Sequence, residues 1–126
     1  MGKAKPTVYV IEDEAELRES LCDELGRVGY TAVAVAQGEK ALALLRRGQP
    51  PALILLDLLM PQKDGWEVVA AMKADPRMRD VPIVVMSAVA PQATSLQAQG
   101  VAATLSKPFT VAELLFVVNK LVPIGR

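Results

Sequence analysis

The stretch Leu53-Ile54-Leu55-Leu56-Asp57 has four apolar residues in succession and ends on a carboxylate. A strand without a polar position on either face is typical of a parallel sheet that is covered by helices on both sides. The four residues before it, 48–51, read Gly-Gln-Pro-Pro, which would stop a preceding helix. The stretch therefore predicts a central strand of an α/β domain.

Four other short apolar runs lie on either side of this strand in the sequence. Together the runs predict five strands at residues 7–11, 31–36, 52–56, 82–86 and 101–105. Longer segments with helical spacing separate them. The first and the last helix are indicated by apolar positions that recur on one face: Leu17, Leu21, Leu25 and Val28, then Val111, Leu114, Leu115, Val118 and Val122. A fourth helix at residues 91–99 has few apolar anchors.

Strands that alternate with helices predict a single five-stranded parallel sheet with helices on both faces. A flavodoxin-like strand order of 2-1-3-4-5 would place strands one and three side by side at the point where the order reverses. The 126 residues, of which 52% are apolar, suit one compact domain. We expect residues 1–126 to form that single domain, with no output domain in this chain.

The composition excludes several classes of function. The 14 basic and 14 acidic residues balance, so electrostatics favour neither nucleic acid nor a membrane surface as a direct partner. The absence of histidine excludes a Ser-His-Asp triad and any histidine metal site. The single cysteine permits no internal disulfide, and no targeting or membrane-spanning segment is visible, so we expect a cytoplasmic protein.

Polar residues collect at the carboxyl ends of the predicted strands, where open parallel sheets bind their ligands. Glu12 and Asp13 follow the first strand, Asp57 the third, Ser87 the fourth and Lys107 the fifth. The carboxylates would repel each other unless a cation or protons intervene. Oxygen ligands favour a hard cation, and we expect Mg²⁺ rather than Ca²⁺, because Mg²⁺ accepts few carboxylates together with water and a substrate phosphate.

A carboxylate, a hydroxyl and a lysine beside such a cation predict phosphoryl transfer. Asp57 can act as the nucleophile, because carboxylates form aspartyl-phosphates. The cation and Lys107 would neutralise the phosphoryl oxygens, and the Ser87 hydroxyl could donate a hydrogen bond to one of them.

Four motifs carry a family resemblance: VIEDE at residues 10–14, LLDLLMPQKDG at 55–65, MSA at 86–88 and SKPF at 106–109. Over roughly residues 6–122 the chain resembles the receiver (CheY-like) domain of two-component response regulators. The resemblance implies that Asp57 is the phosphoacceptor, and that Asp13 binds the metal directly and Glu12 through water. It also implies that the backbone carbonyl of Leu59 completes the protein's share of the metal shell.

The resemblance further implies that Ser87 is the hydroxyl that closes on the phosphoryl group. Lys107 would contact the phosphate, and its bond to Pro108 would be cis, as in the family. The domain would be a signalling module and not an enzyme, except that it catalyses its own phosphoryl transfer and dephosphorylation.

The resemblance also implies the partners. A sensor histidine kinase or a phosphotransfer protein would supply the phosphoryl group. A downstream protein would bind the face formed by the fourth and fifth helices and the fifth strand. Phe116 is a candidate contact on that face, although a single exposed apolar residue is also ordinary. We expect a monomer or a weak dimer.

Three positions depart from the family pattern. Thr104 replaces the Tyr or Phe that usually reports the switch, which keeps open the alternative of a phosphate-independent receiver-like interaction module. Leu59 and Val89 are apolar where the family flanks the path of the attacking water, so we expect slow self-dephosphorylation. Leu59 also argues against an aspartate-nucleophile phosphatase, which needs a second aspartate at that position.

Overall fold

A computed structural model describes residues 5–59, 65–88 and 100–124. Its strands are β1 (Thr7–Ile11), β2 (Thr31–Val35), β3 (Leu53–Asp57), β4 (Ile83–Ser87) and β5 (Ala103–Ser106). The helices among these residues are α1 (Ala15–Arg27), α2 (Gly38–Arg47), α3 (Gly65–Lys73) and a C-terminal helix (Val111–Leu121). The strands form one parallel sheet in the order β2-β1-β3-β4-β5, which confirms the predicted fold class. The helix expected at residues 91–99 lies outside the described residues.

The sheet separates two hydrophobic cores. Helices α2 and α3 cover one face, and α1 and the C-terminal helix cover the other, as predicted. Side chains of β3 alternate between them: Ile54 and Leu56 belong to the first core, and Leu53 and Leu55 to the second. Every residue of β3 is buried, which confirms the prediction from its uninterrupted apolar sequence.

The predicted strand boundaries need correction. β3 and β4 each extend one residue further than predicted, because Asp57 and Ser87 continue the ladder beyond the apolar runs. β5 begins two residues later than predicted, because Val101 packs into the core before the strand starts. β2 ends one residue earlier, at Val35.

The predicted apolar faces of the helices are correct at their centres and wrong at their ends. Leu21 and Leu25 of α1, and Leu114 and Val118 of the C-terminal helix, are buried. Val28 and Val111 are exposed, at 42% and 44%, because they stand just after one helix and at the start of the other.

The predicted end of α1 at Gly29 is confirmed by its backbone. Gly29 has a φ of 114°, which glycine adopts without steric cost. The amide of Tyr30 donates to the carbonyl of Leu25 at 3.0 Å, and the amide of Gly29 donates to Gly26 at 3.3 Å. This pattern is a Schellman motif, which satisfies the last carbonyls of the helix.

None of the helices in the three described ranges combines the length and the apolar character needed to cross a membrane.

Candidate functional site

Three carboxylates meet at the carboxyl edge of the sheet. Glu12 and Asp13 follow β1, and Asp57 ends the adjacent strand β3. One oxygen from each of the three lies within 4.8 Å of the others. Glu12 and Asp57 are 1% and 4% exposed, whereas Asp13 is exposed to solvent. The convergence predicted from the strand order is therefore present.

Two contacts orient the Asp57 carboxylate. The amide of Leu59 donates to Oδ1 at 3.1 Å, and the ammonium of Lys107 lies 3.6 Å from Oδ2. Burial raises the pKa of Asp57 from an ordinary 3.8 to about 6. The Leu59 amide and the charge of Lys107 oppose this shift, and the charge of Glu12 adds to it. The fold thus holds a carboxylate where its negative charge is costly.

Lys107 contacts Glu12 more closely than Asp57. Its Nζ donates to Glu12 Oε1 at 2.8 Å, while Glu12 Oε2 accepts from the amide of Glu14 at 3.2 Å. Burial lowers the pKa of Lys107, but the hydrogen bond to Glu12 and the charges of Glu12 and Asp57 outweigh it and raise that pKa overall. Sequence reasoning placed Lys107 near Asp57 but missed its pairing with Glu12.

Ser87 and Lys107 are joined through the backbone. Ser87 ends β4 and is buried, and its carbonyl accepts from the amide of Lys107 at 2.8 Å. The Lys107–Pro108 peptide bond is cis, as the resemblance implied. The predicted hydroxyl and the predicted lysine therefore occupy the same sheet edge as Asp57.

Gly65 packs directly behind Asp57, which the sequence did not indicate beyond a turn into the third helix. A Cβ at this position would lie 2.6 Å from Leu58 Cα and 2.8 Å from the Asp57 carbonyl oxygen. The amide of Gly65 donates to the Leu58 carbonyl at 2.8 Å. The first residue of α3 therefore contacts the backbone that carries the acceptor.

The three departures from the family pattern lie in different settings. Thr104 is exposed on β5. The Leu59 side chain is 63% exposed, so it stands in solvent beside Asp57. Val89 lies outside the described residues.

The donor set fits a hard divalent cation. Within the described residues, the cluster that could hold a metal consists of three carboxylates and contains neither sulfur nor nitrogen. Oxygen ligands that include an exposed carboxylate suit Mg²⁺, which keeps several of its waters. A cation would also offset the repulsion among these groups.

Comparisons with known proteins agree with this geometry. The chain is 36% identical over 113 residues to a probable transcriptional regulator ycf27 of Porphyridium aerugineum, covering 87% of this chain and 45% of that protein. It is 31% identical over 111 residues to the phosphate regulon transcriptional regulatory protein PhoB of Pseudomonas aeruginosa, covering 86% and 48%. The chain thus spans about half the length of the curated relatives it matches.

Solved structures share the fold. The Vibrio cholerae chemotaxis protein CheY4 superimposes with a TM-score of 0.87 at 25% identity, covering 94% of this chain and 100% of that one. The receiver domain of a sensor histidine kinase from Pseudomonas aeruginosa PAO1, described with a magnesium ion in its active-site cleft, gives 0.85 at 27% identity, covering 96% and 100%. The model of the response regulator receiver domain matches residues 8–119. The chain therefore belongs to the receiver domain family of response regulators.

Proposed function

We propose that this domain accepts a phosphoryl group on Asp57 and transmits the change to a partner protein. The observation that carries the proposal is the buried Asp57 carboxylate, which lies with Glu12 and Asp13 on one side and Lys107 3.6 Å away on the other. A buried acid with a raised pKa among charged groups at a sheet edge is typical of a reactive site.

The donor would be a phosphohistidine of a sensor histidine kinase or a phosphotransfer protein. A carboxylate oxygen of Asp57 attacks phosphorus, the P–O bond forms, and the P–N bond breaks. The bonding pair returns to the imidazole nitrogen of the donor, so the reaction needs no oxidant or other co-reactant. The chain's own part is to hold the carboxylate in line through the Leu59 amide and to place Lys107 near the phosphoryl oxygens.

Glu12, Asp13, Asp57 and the backbone carbonyl of Leu59 would hold Mg²⁺. Bound there, the ion supplies positive charge to the phosphoryl oxygens. Glu12 already uses both oxygens, for Lys107 and for the Glu14 amide, which supports a contact through water instead of direct ligation.

The response would pass through Ser87 and Lys107. Movement of the Ser87 hydroxyl toward the phosphoryl group would shift the β4 end, whose carbonyl binds the Lys107 amide. A downstream protein would sense this at the C-terminal helix and β5. Relatives are named as transcriptional regulators, and one from Synechocystis as DNA-binding, so a cytoplasmic role in gene control is the setting we propose.

Incubation with Mg²⁺ and a small phosphodonor tests the proposal. We expect the intact mass of the wild type to increase by one phosphoryl group, and the Asp57→Asn variant to show no increase. Asp23→Asn, an exposed change on α1, serves as the control and should behave as the wild type. An unchanged wild-type mass would defeat the proposal and favour the phosphate-independent module.

The lifetime of the phosphoryl group is a separate prediction. The exposed, apolar Leu59 side chain offers no hydrogen bond to an attacking water, so we expect the phosphoryl group on Asp57 to persist for longer than seconds. Leu59→Asn should shorten the lifetime about tenfold or more, a factor in the range of a positioned hydrogen-bonding group. Decay is followed by intact mass after the donor is removed, and loss within seconds in the wild type would contradict the prediction.

A further inference from the structure

The outer face of the C-terminal helix has an apolar centre between two opposite charges. Phe116 is 70% exposed, and Glu113 and Lys120 are also exposed. Glu113 and Lys120 are the charged residues of this helix, and they are seven positions apart. Seven residues make about two helical turns, so both lie on the same face with Phe116 between them.

We propose that this face binds the same face of a second copy of the chain. In an antiparallel pair, a two-fold axis between Phe116 and Val117 places Glu113 of each copy beside Lys120 of the other. The two Phe116 rings then lie against each other and against Val117. The axis duplicates every contact, as in other isologous dimers.

The charge pattern distinguishes this partner from others. A parallel pair would set Glu113 against Glu113 and Lys120 against Lys120, which is unfavourable. A uniformly acidic or uniformly basic partner would match one end of the face and be repelled by the other. An antiparallel second copy matches both ends.

The surface beside Phe116 leaves room for the partner. Phe116 separates two grooves of about 660 Å³ each, one bounded by Thr104 and Val117 and the other by Val28 and Ile124. Ala112, one turn before Phe116, lines both grooves, and its small side chain permits close approach of a second helix. A single aromatic centre with exposed ion pairs at its rim forms a weak dimer, since exposed pairs contribute little.

Glu113 has a second role that shapes the test. Its Oε1 accepts from the amide of Thr110 at 2.8 Å, while its own amide donates to the Thr110 hydroxyl at 3.0 Å. This capping box begins the helix. Glutamine can also serve in a capping box, so Glu113→Gln removes the charge and keeps the cap.

Sedimentation equilibrium of the unphosphorylated protein over a range of concentrations tests the dimer. We expect a concentration-dependent dimer in the wild type. Lys120→Glu and Glu113→Lys should each weaken it about tenfold, because each reverses two symmetric pairs. Glu113→Gln should weaken it less, Phe116→Ser should abolish it, and Lys40→Glu on α2 should leave it unchanged.

The double variant Glu113→Lys/Lys120→Glu is the decisive measurement. It should restore association to within about threefold of the wild type, because the pairs re-form with their signs exchanged. Loss of the capping box cannot produce such recovery. A wild type that is monomeric at every concentration, or a double variant as weak as the single ones, would overturn the proposal. Neither result bears on phosphorylation of Asp57, because no phosphodonor is present.

Discussion

Asp57→Asn is expected to stabilise the metal-free domain at neutral pH by up to about 3 kcal/mol. The carboxylate pays for its burial: the pKa of Asp57 rises from an ordinary 3.8 to about 6 in the folded state. Asparagine keeps the Oδ1 acceptor that the Leu59 amide uses at 3.1 Å, and it removes the charge. Removing an uncompensated buried charge without losing its hydrogen bond raises the free energy of unfolding.

The sign of the pH dependence follows from the direction of the shift. The folded state binds the Asp57 proton more tightly than the unfolded state, so this group lowers stability as pH rises from about 4 to about 6. Wild type and Asp57→Asn should therefore be equally stable below about pH 4, diverge up to about pH 6, and differ by a constant amount above it. Urea denaturation at a series of pH values measures the difference, and titration of the other carboxylates cancels between the two proteins.

Two controls accompany this measurement. Asp23→Asn, on the exposed surface of α1, should show no pH-dependent gain. Added Mg²⁺ should stabilise the wild type and narrow its gap to Asp57→Asn, because a ligand that binds only the folded state raises its stability. A variant no more stable than the wild type at pH 7 without metal would refute the charge-burial account.

Gly65→Ala is expected to destabilise the domain by about 2–3 kcal/mol, in the range of overpacked sites. Its Cβ would come within 2.6 Å of Leu58 Cα and 2.8 Å of the Asp57 carbonyl oxygen. Both atoms are backbone, so no side chain can rotate away. Relief requires α3 to move from the end of β3, which should also slow phosphoryl uptake at Asp57.

Gly26→Ala is the matched control for this substitution. Gly26 lies within α1, and nothing stands within 4 Å of a Cβ built there. Alanine should stabilise this exposed helical position by about 0.5–1 kcal/mol. Urea denaturation compares the two variants, and the rate of mass gain with a small phosphodonor reports on the site. Equal stabilities for Gly65→Ala and the wild type would contradict the packing seen behind Asp57.

Much of the fold follows from the sequence because burial on both faces imposes apolar runs. The centre of β3 was readable for that reason, whereas its last residue was not, because Asp57 is polar yet still pairs with β4. The meeting of Glu12, Asp13 and Asp57 followed from strand order. The bond between Lys107 and Glu12 could not be foreseen, since 95 residues separate the two and only side-chain reach decides the lysine's nearer partner. Gly65 was equally hidden, because a glycine after Asp64 is also an ordinary turn residue.

The position of β3 between the two cores has a consequence for motion. Its five residues are buried, with β1 on one side and β4 on the other. Local opening reaches such a strand last, because exposing it requires both cores to separate. The acceptor carboxylate is thus attached to the least deformable part of the sheet. Movement that follows its modification should therefore be taken up at the margin, in the loops and in β5, where fluctuations already cost little.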